Sequence, residues 1–171
     1  MNAQTPMPAR QTDMTDLRRS LGCFPTGVAV VTAQSRKGAP IGVTISSFNA
    51  VSLDPPLILW SLALKAASLA DFRAAGHFAV NVLSEDQADL PRIFSSPVAE
   101  RFAGLDWHEG RGGAPVLDRS AAVFECRTFA RHDGGDHEIF LGEVLRHGHG
   151  EAAPLIFAKG RLTALGEVAR A

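Results

Sequence analysis

The stretch Gly42-Val43-Thr44-Ile45-Ser46-Ser47-Phe48-Asn49 sets three hydroxyls and a carboxamide between two apolar runs. Such side chains donate and accept hydrogen bonds without bulk, so they suit the polar edge of a ligand as well as a strand. None has the setting of a nucleophile, because no Gly-x-Ser-x-Gly elbow is present. Other chemistry is excluded in turn. His147-Gly148-His149 puts two imidazoles on one face of a strand, and His132 or His137 would extend the set toward a metal site. Glycines surround the pair, however, and histidines in exposed turns are common, so no metal is expected. The glycine cluster Gly110-Arg111-Gly112-Gly113 lacks the third glycine of a dinucleotide fingerprint and runs into Pro115, which reads as a flexible loop. None of Lys37, Lys65 and Lys159 lies in a Walker loop, and the absence of tyrosine removes any tyrosine acid.

The elements that must position these residues are mostly strands. Runs rich in Val, Ile, Thr and Phe, bounded by Gly, Pro or Asp, predict strands over 27–34, 41–46, 48–53, 57–62 and 77–83. Further strands are predicted over 119–131, 137–147, 155–158 and 160–166, after a less regular stretch through Gly113. Met14, Leu17, Leu21 and Phe24 recur at helical spacing over 13–24, with Arg18 and Arg19 on the other face and Pro25 as the stop. Ser68 and Gly76 bracket a short helix as N-cap and C′ residue, and Ser84-Glu85-Asp86-Gln87 has the form of a capping box opening another that carries Leu90, Ile93 and Phe94. Strands with a few inserted helices, rather than strict alternation, predict a mainly β fold, a closed antiparallel barrel.

At 171 residues the chain has the size of one domain, expected over 13–171, with residues 1–12 as a loose polar tail. A composition of 46% hydrophobic and 20% charged residues with a formal net charge of -1 gives no attraction to nucleic acid or anionic membrane. No apolar run approaches the roughly 20 residues of a membrane span. Two cysteines without CxxC spacing point to a reducing cytoplasm.

A family resemblance rests on five blocks in order: Pro25-Thr26-Gly27-Val28-Ala29-Val30-Val31-Thr32, Gly42-Val43-Thr44-Ile45-Ser46-Ser47-Phe48, Ser52-Leu53-Asp54-Pro55-Pro56, Phe78-Ala79-Val80-Asn81-Val82-Leu83, and Gly135-Asp136-His137-Glu138-Ile139-Phe140-Leu141-Gly142-Glu143-Val144. Together, across roughly 14–166, they resemble the short-chain flavin reductases, the reductase components of two-component flavin-dependent monooxygenases. The resemblance implies an FMN-binding split β-barrel and hydride transfer from NADH or NADPH to FMN or FAD. It also implies a homodimer and a partner monooxygenase that receives reduced flavin.

Carried over residue by residue, Pro25, Thr26, Gly27 and Val28 would pack along the flavin ring, and Thr44, Ile45, Ser46, Ser47 and Asn49 would line its edge and ribityl chain. Ser61, Leu62, Lys65 and Ser68 would take the phosphate, although Lys65-Ala66-Ala67-Ser68 departs from the tighter basic-Ser-Ser pattern of many relatives. Asn81 lies mid-strand and would satisfy a backbone or flavin group. Phe157, with Lys159, would reach the site from the last hairpin, where Leu162 replaces the usual tyrosine. His137, with Asp136, would orient the nicotinamide. No side chain need serve as acid or base, because the cofactors carry the chemistry. Two alternatives stay open: an oxidase of the pyridoxamine-phosphate type, which should add a basic cluster, and a non-enzymatic FMN-binding electron carrier.

Overall fold

The computed structural model describes residues 13–97 and 100–166. The expected tail over 1–12 lies outside the described residues, as do the last five residues. Helix α1 (Met14–Leu21) begins at Asp13, whose carboxylate accepts a hydrogen bond from the Thr15 amide at 2.8 Å and so satisfies a donor that the helix leaves orphaned. It ends at Gly22, short of Pro25. Its apolar stripe does not enter the core: Met14, Leu21 and the following Phe24 are 60%, 64% and 76% exposed.

Short β1 (Thr26–Gly27) is followed by β2 (Ala29–Gln34), β3 (Pro40–Ile45), β4 (Asn49–Leu53) and β5 (Pro56–Ala63). Then come α2 (Leu69–Ala74), β6 (His77–Val82), a single 3-10 turn over Glu85–Gln87, and α3 (Leu90–Ser95). The chain closes with β7 (Trp107–Glu109), β8 (Pro115–Leu117), β9 (Ala122–Gly134), β10 (His137–His149), β11 (Ile156–Ala158) and β12 (Arg161–Thr163). Seven of these form one antiparallel sheet in the order β3-β2-β6-β9-β10-β5-β4.

Its two end strands, β3 and β4, are consecutive in the chain yet do not pair. The sheet must therefore curl until its ends meet across Ser46-Ser47-Phe48, which gives a barrel with one open seam. Ser47 bridges the seam: its hydroxyl accepts from the Ser61 amide at 2.9 Å and donates to the Ser61 carbonyl at 3.3 Å.

Alternation sorts the strands into an inner and an outer face. Ile58, Trp60 and Leu62 of β5 point inward, with Trp60 stacked on Phe140 at 4.6 Å and meeting Phe72 and Phe78 edge-on. Asn81, alternating with Val80, faces the other way, into the layer under β8. It is fully buried, its amide donates to the Val30 carbonyl and the Thr32 hydroxyl, and its oxygen accepts from the Leu117 amide.

Two local expectations are corrected. The Gly110–Gly113 segment is an ordered turn between paired β7 and β8 rather than a flexible loop. The Arg111 amide donates to Glu125 Oε2 at 2.7 Å, and Gly112 has a φ of 63° with room for no Cβ, which would fall 2.6 Å from His77. The box at Ser84 also does not open a continuous helix. Gln87 Oε1 accepts from the Ser84 amide at 3.1 Å, but the chain makes only a 3-10 turn before α3 starts with Pro91 in its first turn.

Candidate functional site

The open ends of β2 and β3 and the outer surface of α3 enclose a cleft of about 330 Å³ with β11 and Leu162. Its wall contains Val28, Thr44, Ile45, Ser46 and Phe157, which the sequence analysis singled out, together with Pro91, Arg92 and Ser95, which it did not. The volume falls in the range of small-ligand sites, and the mixture of aliphatic, aromatic and hydroxyl-bearing walls is typical of them.

Each wall has a local cause. Thr26 pairs with Phe157 and Gly27 with Ile156, so the Pro25–Val28 segment and β11 are laid side by side. Thr44 donates its hydroxyl to the Pro91 carbonyl at 2.8 Å, which fastens α3 to β3. Behind that contact Phe94 fits against Gly42, where a Cβ would lie only 2.6 Å from the ring. With Leu90 and Phe94 held in the core, the opposite side of α3 turns Arg92 and Ser95 outward. The helical spacing of Leu90, Ile93 and Phe94 contains that signal, since Arg92 and Ser95 are three apart on the complementary face.

Other candidates sit elsewhere. Pro25, Gly27 and Asn49 are exposed. Leu62 is turned into the barrel interior by strand alternation and Asn81 is buried under β8 with three protein partners, so neither side chain lines the cleft. Ser61 is tied through its backbone to Ser47, and both are half-buried at the seam. Ser68 occupies the N-cap position of α2 without a capping bond from its side chain, and Lys65 is exposed in the preceding turn.

Asp136 and His137 lie beside Lys65 at the end of the β9–β10 hairpin, where the Leu64 amide donates to the Asp136 carbonyl. Asp136 Oδ1 is 2.6 Å from His137 Nδ1, and this hydrogen bond holds the Asp136 carboxyl below its ordinary range. The next residue, buried Glu138, meets Arg73 of α2 at 2.6 Å and Arg131 of β9 at 3.4 Å, so the strand carrying His137 is pinned from both sides. The pair is outside the cleft wall formed by α3 and β11.

A flavin is the group that this fold implies. It fits the cleft by the chemistry of the wall; Thr26 Oγ1, buried without a hydrogen-bond partner, lies on the neighbouring segment paired with Phe157 and not in that wall. Val28, Ile45, Phe157 and Leu162 offer apolar walls to a flat ring, and Ser46, Ser95 and Arg92 offer polar groups at its edge. Among the described residues no cluster of His, Cys, Asp and Glu has the form of a metal site, and no helix is long and apolar enough to cross a membrane.

The family model for the flavin reductase like domain matches residues 21–166. The chain belongs to the flavin reductase-like family. It is 49% identical over 143 residues to the FMN reductase (NADH) SmoA of Agrobacterium fabrum, covering 84% of this chain and 81% of that protein. It is 43% identical to the reductase component of the flavin-dependent trigonelline monooxygenase of Acinetobacter baylyi, covering 75% of this chain but only 42% of that longer protein. Among solved structures, the NADH:FAD oxidoreductase SgcE6 of Streptomyces globisporus in complex with NAD and FAD fragments superposes with a TM-score of 0.87. The two are 37% identical, and the match covers 92% of this chain and 96% of that one. The flavin reductase-like fold is thus a mainly β, antiparallel barrel, as the order of strands predicts.

Proposed function

We propose that the chain is an NAD(P)H:flavin oxidoreductase that supplies reduced FMN or FAD to a partner monooxygenase. The observation that carries it is the cleft between β3, α3 and β11, apolar on its walls and polar at its edge, in a family whose members are named as NADH-dependent flavin reductases. When bound, a flavin supplies a ring that accepts hydride from a nicotinamide. Val28, Ile45 and Phe157 hold such a ring flat and exclude water from one side, while Ser46 and Ser95 offer hydrogen bonds. Arg92 sets a positive charge at the wall, which favours whichever form of the ligand carries more negative charge. His137, oriented by Asp136, positions the nicotinamide. A second copy of the chain covers the apolar outer stripe of α1, whose exposure is costly in an isolated monomer.

Mixing the purified protein with NADH or NADPH and with FMN, FAD or riboflavin, and following nicotinamide absorbance, tests the reading. Turnover with at least one pair is expected, and silence in all six would sink it. A protein that stays yellow through gel filtration yet turns nothing over would instead be an electron carrier. In the same assay His137→Ala should raise KM for the nicotinamide far more than KM for the flavin.

A further inference from the structure

We infer that Arg18, Arg19 and Lys159 form a second subsite, a phosphate anchor for a nucleotide whose ring occupies the cleft; the inference rests on the function proposed above. A groove of about 510 Å³ runs between α1 and the β11–β12 hairpin, lined by Thr15, Arg18, Arg19, Cys23 and Lys159. Positions 15, 18 and 19 share one face of α1. That face borders the groove on the side of the β11–β12 hairpin, while every residue of α1 stays exposed. None of the three cations makes an ion pair among the described residues, so their charge is available to a ligand.

Lys159 adds an independent argument. Ala158 pairs with Arg161, so Lys159 and Gly160 are the two residues of a tight hairpin turn, with φ of 49° and 75°. Two successive positive φ values suit Asn-Gly or Gly-Gly, and a side chain such as lysine is strained there. Strain kept at one position calls for a function of that side chain. The Lys159 amide also donates to the Gly22 carbonyl at 2.7 Å, which ties the turn to the end of α1 and holds the three cations around one groove.

The groove adjoins the cleft. Phe157 lines the cleft and Lys159, two residues further along the same hairpin, lines the groove, a separation of about 7 Å at the usual rise of a strand. A ring against Phe157 therefore leaves its phosphoryl group within reach of the cations. Two ligands carry that chemistry, the dinucleotide donor through its pyrophosphate and the flavin through its ribityl phosphate.

Lys159→Asn separates charge from structure, because asparagine relaxes the turn while removing the cation. We expect its melting temperature to equal or exceed that of the parent chain. Arg18→Gln and Arg19→Gln lie on an exposed helix face and should fold normally. Binding is read by calorimetry with ADP-ribose and with FMN, and KM for NADH is read with riboflavin, which has no phosphate, as acceptor. If the anchor serves the donor, each variant weakens ADP-ribose binding and raises KM for NADH by about fivefold, the loss shrinking at high salt. If it serves the flavin, the loss falls on FMN and spares riboflavin turnover. Unchanged binding of both probes in all three variants would overturn the subsite. Calorimetry reads the anchor even if the parent chain oxidises no nicotinamide, so the two failures remain distinct.

Discussion

Arg92 stands in the cleft wall only because its helical neighbours Leu90 and Phe94 are drawn into the core. An exposed guanidinium on a bound anion or carbonyl contributes about 1 kcal/mol, so Arg92→Ala should raise the flavin KM roughly fivefold with little change in melting temperature. Steady-state kinetics against each flavin checks this. The two cysteines differ in the opposite direction. Cys23 is exposed, whereas burial, with a smaller contribution from Glu125, pushes the Cys126 thiol up from 9.0 to about 12. Ellman's reagent should therefore titrate one thiol in the native protein and two in denaturant. The raised value also has a consequence for stability. The folded state keeps its proton where the unfolded state loses it, so this contribution is intact below about pH 9 and fades toward pH 12. Cys126→Ala should flatten that alkaline decline in urea titrations. Asn81 shows how far residue type carries: its polarity in mid-strand signals a satisfied group, but a single sequence does not say whether the partner is ligand or backbone.

At the scale of elements, the joint between β3 and α3 decides the cleft. Gly42 lets Phe94 lie against the strand, and the Thr44 hydroxyl holds Pro91. Gly42→Ala should push α3 outward, cost about 1 to 3 kcal/mol through overpacking, and weaken flavin binding at a site the residue does not touch. Thermal melts together with a flavin titration would test it; tight binding in a destabilised protein would separate the joint from the cleft. Element types were largely legible, because period-2 and helical patterns survive in the sequence at β5, β6, β10 and α2. The short β7 and β8 were not, since three-residue strands around a glycine turn carry too few alternations to stand out. Helix α1 was legible as a helix, yet its amphipathic pattern gave no hint that the apolar side faces out.

For the whole molecule, the barrel is held by the aromatic cluster of Trp60, Phe72, Phe78 and Phe140, drawn from β5, α2, β6 and β10. Trp60→Ala should cost about 3 to 5 kcal/mol, which in a chain of this size lowers the melting temperature by roughly 10 °C. A much smaller drop would mean that the cluster fills space without bearing on stability. Assembly is tested at the same scale: Phe24→Ser should shift the protein toward monomer in sedimentation velocity if a second copy covers α1. The order of most strands and helices and the antiparallel barrel were written into the sequence, because burial period and turn chemistry are local properties, whereas the candidate flavin residues came from the family resemblance. Which of those residues share one cleft was decided by the tertiary structure. Only closing the sheet across Ser47 and seating Phe94 on Gly42 bring Arg92, Thr44 and Phe157 together, and bury Leu62 and Asn81 away from them. Those contacts join residues far apart in the chain, where no sequence period reaches.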